Sequence, residues 1–154
     1  MPPFEALDHV GFAVSDLDRS IEFYTLLLEE PPTLRKIWDV EYVGRIVGYP
    51  GLKLDAAFWN LPGKVILELL QYLHPSPGRV DMETYNAGNA HLCLVTQDMN
   101  RDFERLQGVA EFRSPEPIEI PWGPYKGGWA AYLRDPDGIS IELITLPPGG
   151  VSLD

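Results

Sequence analysis

The spacing of apolar residues changes period several times along the chain, and each change marks an element. Across residues 7–14 the chain alternates, with His9, Gly11 and Ala13 on one face and Val10, Phe12 and Val14 on the other, which predicts a strand. Ser15-Asp16-Leu17-Asp18 then has the form of a helix start, and Leu17, Ile21, Tyr24 and Leu28 follow at helical spacing up to Pro31-Pro32, which cannot continue a helix. Residues 33–38 predict a short strand and residues 41–47 a turn or two of helix before Gly48. Residues 52–61 and 65–72 read as a hairpin around Pro62-Gly63, with Ile66, Glu68, Leu70 and Tyr72 sharing one face.

After a stretch of turn composition at 73–89 the opening pattern returns. Residues 90–96 predict a strand, and Met99, Phe103 and Leu106 one face of a helix ending at Gly108. A strand around 117–120, a Gly-rich loop, a strand over 129–133, the turn Asp135-Pro136-Asp137-Gly138 and a final strand through Thr145 complete the copy. Each half reads strand, helix, then about three strands. The expected fold is therefore α+β, a single domain over 1–154 made of module one (about 5–73), a linker (about 74–89) and module two (about 90–146).

Composition narrows the function classes. A chain of 154 residues with 45% hydrophobic content can bury a real core. A net charge of −11 argues against a nucleic-acid or membrane-surface role, because binding phosphates takes clustered Lys and Arg. Cys93 is the sole cysteine, which excludes an intramolecular disulfide and a thiolate zinc cluster and fits a reducing cytoplasm. With no basic-then-apolar leader and no apolar run near the ~18 residues of a membrane span, the protein is expected to be soluble and cytoplasmic.

The candidate chemistry lies at duplicated positions. Glu68 and Glu142 each stand six residues after a proline, among neighbours that are mostly Val, Ile and Leu, where an ionised carboxylate is costly unless paired or bound to a metal. His9 precedes Asp16 by seven residues, and His91 precedes Asp98 by seven. Singly, these would be hydrogen-bonded core histidines and outward-facing glutamates. The duplication instead favours a site of two imidazoles and two carboxylates, a set suited to a divalent Ni, Co, Mn, Fe or Zn. His74 reads as an exposed loop residue, and Cys93, which shares the strand parity of His91, as a small buried hydrophobe.

The loop Gly123-Pro124-Tyr125-Lys126-Gly127-Gly128 carries a cation and permits two readings: closure on an anionic substrate group, or a surface loop with a solvated lysine. Lys126, Trp122 and Tyr125 are the candidate substrate contacts. Trp38, Trp59, Trp122 and Trp129 otherwise read as core or rim packing, and Arg35, Arg45 and Arg134 as surface residues that could clamp an anion.

These residues resemble the vicinal oxygen chelate superfamily, the glyoxalase/bleomycin resistance/dioxygenase group, over nearly the whole chain from Leu7 to Thr145. The carriers are Asp8-His9-Val10-Gly11-Phe12-Ala13-Val14, Arg19-Ser20-Ile21-Glu22-Phe23-Tyr24, Leu67-Glu68-Leu69, Ala90-His91-Leu92 and the Asp-Pro-Asp-Gly turn leading into Ile141-Glu142-Leu143. The resemblance implies two paired βαβββ modules whose sheets curl around a metal-containing cavity, often in a homodimer. In motif the chain is closest to bacterial glyoxalase I, whose His, Glu, His and Glu ligands match His9, Glu68, His91 and Glu142, and whose Gly-Pro-x-Lys-Gly-Gly loop matches 123–128. Ala13 stands where that enzyme carries an arginine that helps hold glutathione.

The expected function is a metal-dependent isomerase or lyase acting on a small molecule, in which Glu68 or Glu142 moves a proton beside a carbonyl. An Fe(II) extradiol-type dioxygenase and a metal-free binding or resistance protein are the alternatives.

Overall fold

The computed structural model describes residues 3–151; of the expected 1–154 span, Met1, Pro2 and residues 152–154 lie outside it. The chain divides into two compact units, Met1–Arg79 and Val80–Asp154.

The first unit runs β1 (His9–Ala13), α1 (Leu17–Leu28), β2 (Leu34–Trp38), α2 (Glu41–Val47), β3 (Lys53–Leu61) and β4 (Val65–His74). Its sheet has the order β1-β4-β3-β2, with β1 parallel to β4 and the remaining pairs antiparallel. α1 forms because Asp16 caps it, its side chain accepting from the Arg19 amide at 3.1 Å, and because Leu17, Phe23, Tyr24 and Leu27 fall on one buried face. That face lies on β3 and β4, against Leu67, Leu69 and Trp59. Each such apolar side chain removed from water contributes about 1.5–3 kcal/mol. The Gln71 side chain accepts from the Leu17 amide at 2.9 Å, which fixes the start of the helix to β4. The helix ends before the prolines: Glu29 takes the left-handed conformation, φ 56°, and closes it.

The second unit runs β5 (His91–Val95), α3 (Met99–Leu106), β6 (Glu111–Phe112), β7 (Ile118–Glu119), β8 (Trp129–Arg134) and β9 (Ser140–Thr145). The order β5-β9-β8-β6 repeats the first sheet, with β5 parallel to β9, and β7 also pairs with β8. The strand expected around 117–120 is β7, shortened to two residues, and β6 is one the hydrophobic pattern does not predict. Pro115 and Pro117 lie between them and cannot donate to a ladder, so pairing with β8 breaks there. α3 is capped by Asp98, which accepts from the Arg101 amide at 3.0 Å, and buries Met99, Phe103 and Leu106.

The two units are therefore βαβββ-like modules of an α+β fold, the first with an added helix and the second with a divided strand. Among the described residues no helix is long and apolar enough to cross a membrane.

Equal spacing between proline and glutamate conceals two different turns. Between Leu61 and Val65 the chain reverses in three residues, with Gly63 at φ 82° and Lys64 at φ 64°. Between Arg134 and Ser140 it takes five, organised by the buried Asp135, whose Oδ1 accepts from the amides of Asp137 at 2.9 Å and Ile139 at 2.8 Å. Both turns deliver the glutamate to the sheet face opposite the helix.

Candidate functional site

Strand register decides which side chains meet. In the first unit His9 lies opposite Ile66 and Gly11 opposite Glu68, so the glutamate faces the residue two after the histidine. The second unit repeats this, with His91 opposite Ser140 and Cys93 opposite Glu142. Because side chains alternate with period two, each histidine and its glutamate share a face. His9 Nε2 stands 4.0 Å from Glu68 Oε2, and His91 Nε2 stands 3.2 Å from Glu142 Oε2.

These separations suit two donors on one ion. Nitrogen and oxygen donors about 2.1 Å from a divalent metal lie about 3.0 Å apart at a right angle and about 4.2 Å apart when opposed, and both pairs fall inside that span. The surroundings of His9 fit as well: Asp8 Oδ2 lies 2.8 Å from Nδ1, the contact that holds Nδ1 as the N–H and leaves Nε2 free to coordinate. That hydrogen bond to Asp8, with the charge of Glu68 assisting, raises the imidazole pKa against the opposing effect of burial. Glu68 is raised in turn, because partial burial outweighs the attraction of His9. A Cβ on Gly11 would stand 3.1 Å from Glu68 Oε2, so the glycine is the space in which that carboxylate sits. Among the described residues, no group of three or more His, Cys, Asp or Glu side chains is arranged to hold a metal ion.

Two residues beside Glu142 distinguish the second pair. Tyr132, opposite Glu142 on β8, donates its hydroxyl to Glu142 Oε2 at 3.0 Å, and its ring centroid lies 5.4 Å from that of His91. Burial, then the Glu142 carboxylate, pushes this phenol above its ordinary range. Sequence reasoning passed over Tyr132, although counting back across the turn from Ser140 to Arg134 pairs it with Glu142. Cys93 corrects an expectation: it is exposed rather than buried, because it shares His91's face and not the helix-facing side of β5. Partial desolvation of its sulfur, with Glu142 adjacent, pushes the thiol up to about 12.

The other candidates are not gathered at the pairs. Trp122 is 79% exposed, which removes it from the core or rim packing expected of it, and Lys126 and Tyr125 lie on the same exposed loop. That loop joins β8 beside Thr145, three strand positions or about 10 Å from Glu142. Its shape comes from backbone bonds, Gly127 N to Ile120 O at 2.9 Å and Gly128 N to Tyr125 O at 2.9 Å. Trp59 is buried as expected and donates Nε1–H to the Glu30 carbonyl at 3.0 Å, whereas Trp38 lies under the ammonium of Lys36. Arg35 is committed to Asp55 and Asp18, whereas Arg134 pairs with Glu83 at 2.7 Å and keeps a buried Nε without a hydrogen-bond partner among the described residues. His74 is exposed, as the last residue of β4.

Known proteins resemble the chain over most of its length. The sequence model of the Glyoxalase/Bleomycin resistance protein/Dioxygenase superfamily matches residues 6–143. A 2-epi-5-epi-valiolone epimerase from an Actinomyces species is 29% identical, the match covering 97% of this chain and 84% of that protein. A probable lactoylglutathione lyase from Vibrio cholerae is 32% identical, covering 88% and 87%. Among solved structures, a glyoxalase family protein from Bacillus cereus superposes with a TM-score of 0.76 at 22% identity, over 96% of this chain and 99% of that one.

Proposed function

The chain belongs to the glyoxalase/bleomycin resistance/dioxygenase superfamily, and from that premise we propose that it is a metal-dependent isomerase or lyase moving a proton beside the carbonyl of a small-molecule substrate. The observation that carries the reading is the repeated register, in which a histidine on one strand and a glutamate on the parallel neighbour meet on the sheet face opposite the helix, once in each module. Together His9, Glu68, His91 and Glu142 would hold one divalent ion such as Ni, Co, Mn, Fe or Zn, drawn from one chain or from two copies in a homodimer. When bound, the ion supplies Lewis acidity toward adjacent substrate oxygens and so makes the neighbouring C–H easier to deprotonate. Glu68 and Glu142 are the groups able to receive that proton. Returning it to the adjacent carbon isomerises the substrate, and returning it to the opposite face of the same carbon epimerises it.

One observation favours an epimerase-like substrate over a glutathione adduct. Ala13 shares the face of His9 and lies opposite Leu70, so the place where glyoxalase I carries its glutathione-holding arginine presents a methyl group against a leucine. The relative named as an epimerase points the same way.

The test begins with protein stripped by chelator and reloaded with single metals. About one equivalent per chain should bind tightly, and His91→Ala should abolish it, since loss of one donor leaves the set incomplete. The loaded protein is then assayed for solvent deuterium uptake at the α-carbon of cyclic hydroxy-ketones, and for thioester formation from methylglyoxal and glutathione. Exchange without thioester supports the epimerase form, and thioester formation supports the lyase form. Oxygen consumption with catechols under Fe(II), or absence of metal binding altogether, would replace this reading with the dioxygenase or the binding protein.

A further inference from the structure

The two glutamates are equivalent in register and unequal in support. Each is flanked by a residue on the parallel strand and one on the antiparallel strand: Gly11 and Phe58 for Glu68, Cys93 and Tyr132 for Glu142. Both flanks of Glu142 carry a donor group, a phenolic hydroxyl and a thiol, whereas a hydrogen atom and a phenyl ring flank Glu68. Among the described residues of the first unit, no side-chain hydrogen bond reaches Glu68, and its nearest charged partner is His9 at 4.0 Å. Tyr132, in contrast, touches both members of its pair, with its hydroxyl 3.0 Å from Glu142 Oε2 and its ring beside that of His91.

We propose that Tyr132 is a positioning residue that holds the Glu142 carboxylate in one orientation beside His91, and that Phe58 in the matching place leaves Glu68 without that restraint. The chain then carries one fixed carboxylate and one free to reorient. A half-buried carboxylate has several rotamers of similar energy, and a hydroxyl donating to one of its oxygens from a neighbouring strand selects among them. The phenol is well suited to this, because its ring is held by the sheet and only its oxygen reaches the site.

The metal readout of this proposal rests on the proposed function, but the hydrogen bond can be tested without metal. In metal-free protein carrying ¹³C-labelled glutamate carboxyls, Glu142→Gln and Glu68→Gln assign the two resonances. Tyr132→Phe should shift the Glu142 resonance and leave that of Glu68 in place. The reciprocal change, Phe58→Tyr, keeps Tyr132 intact and should shift only Glu68. With Co(II) as the probe, Tyr132→Phe should weaken binding about 10–100-fold and alter the visible absorption of the bound ion, the size of effect expected when a partner that orients a ligand is lost. A Glu142 resonance unmoved by Tyr132→Phe, or Co(II) affinity within about twofold of wild type with an unchanged spectrum, overturns the proposal. If wild-type protein binds no Co(II), the metal reading fails and the carboxyl resonances alone decide the role of Tyr132.

Discussion

Gly11 sets two opposite effects against each other in one residue. In a strand interior, Gly→Ala relieves the entropic cost of ordering a glycine, a gain of about 0.5–1 kcal/mol. At this position, however, the new methyl would stand 3.1 Å from Glu68 Oε2, so the carboxylate must give way by a few tenths of an ångström. Gly11→Ala is therefore expected to leave stability unchanged or slightly raised while weakening metal binding by about tenfold, an effect of the size seen when a ligand's support is disturbed. Urea unfolding and calorimetric titration on the same sample check both halves of this prediction. Gly128 is the contrasting case. A Cβ there would run into the backbone carbonyl of Thr145, which belongs to β9 and cannot move aside as a side chain can. Gly128→Ala should cost about 1–3 kcal/mol in stability by overpacking, read as a lowered urea midpoint.

At the scale of elements, α3 is held to its unit by a charged network as well as by Met99, Phe103 and Leu106. Asp102 is buried, accepts from the Thr96 hydroxyl, and accepts at Oδ1 from Arg101 at 2.8 Å and Arg105 at 3.2 Å. Burial alone would raise its pKa, but the Thr96, Arg101 and Arg105 hydrogen bonds outweigh it and leave the carboxyl below its ordinary value. A depressed native pKa means that the unfolded chain takes up the proton first. The contribution is complete above the unfolded value of about 3.9 and is lost as pH falls through the lower native value. Asp102→Asn should accordingly cost about 2 kcal/mol near neutrality and remove part of the decline in stability below about pH 4, seen by comparing urea midpoints across pH. The helix itself was readable in the sequence, because an Asp cap followed by apolar residues at helical spacing is a local signal, and the same is true of α1. The pairing of His9 with Glu68 and of His91 with Glu142 was readable only through duplication. What escaped were features set by long-range register or by details of a turn. Tyr132 meets Glu142 only once β8 and β9 are aligned, Cys93 is exposed because of the face β5 presents, and β6 exists because β8 offers it an edge. The equal spacing of proline and glutamate in the two halves does not reveal that one turn is closed by Gly63 and Lys64 and the other by the amides around Asp135.

For the molecule as a whole, the question posed by two matching pairs is how many ions they bind. A single histidine and carboxylate leave most of an ion's coordination to water, so a pair acting alone would bind weakly, whereas four protein donors bind tightly. If the pairs act together, His9→Ala and His91→Ala, which change different units, must each remove tight binding completely, and wild-type stoichiometry must be one ion per chain. If they act separately, wild type binds two ions per chain and each substitution removes one. Linkage adds a second reading of the same question, because a ligand that binds only the folded chain stabilises it by RT ln(1 + [L]/Kd), about 2.7 kcal/mol at a hundredfold excess over Kd. Acting together, the pairs make the metal-induced rise in melting temperature vanish in both single variants, and the double variant loses nothing more. Independent pairs leave each single variant with a partial rise and only the double variant with none. Melting curves of the four proteins with and without Ni or Co therefore separate a shared centre from two local ones. The shared outcome is the one that follows from the proposed function, because a histidine and a glutamate meeting as a pair would hold an ion only weakly by themselves.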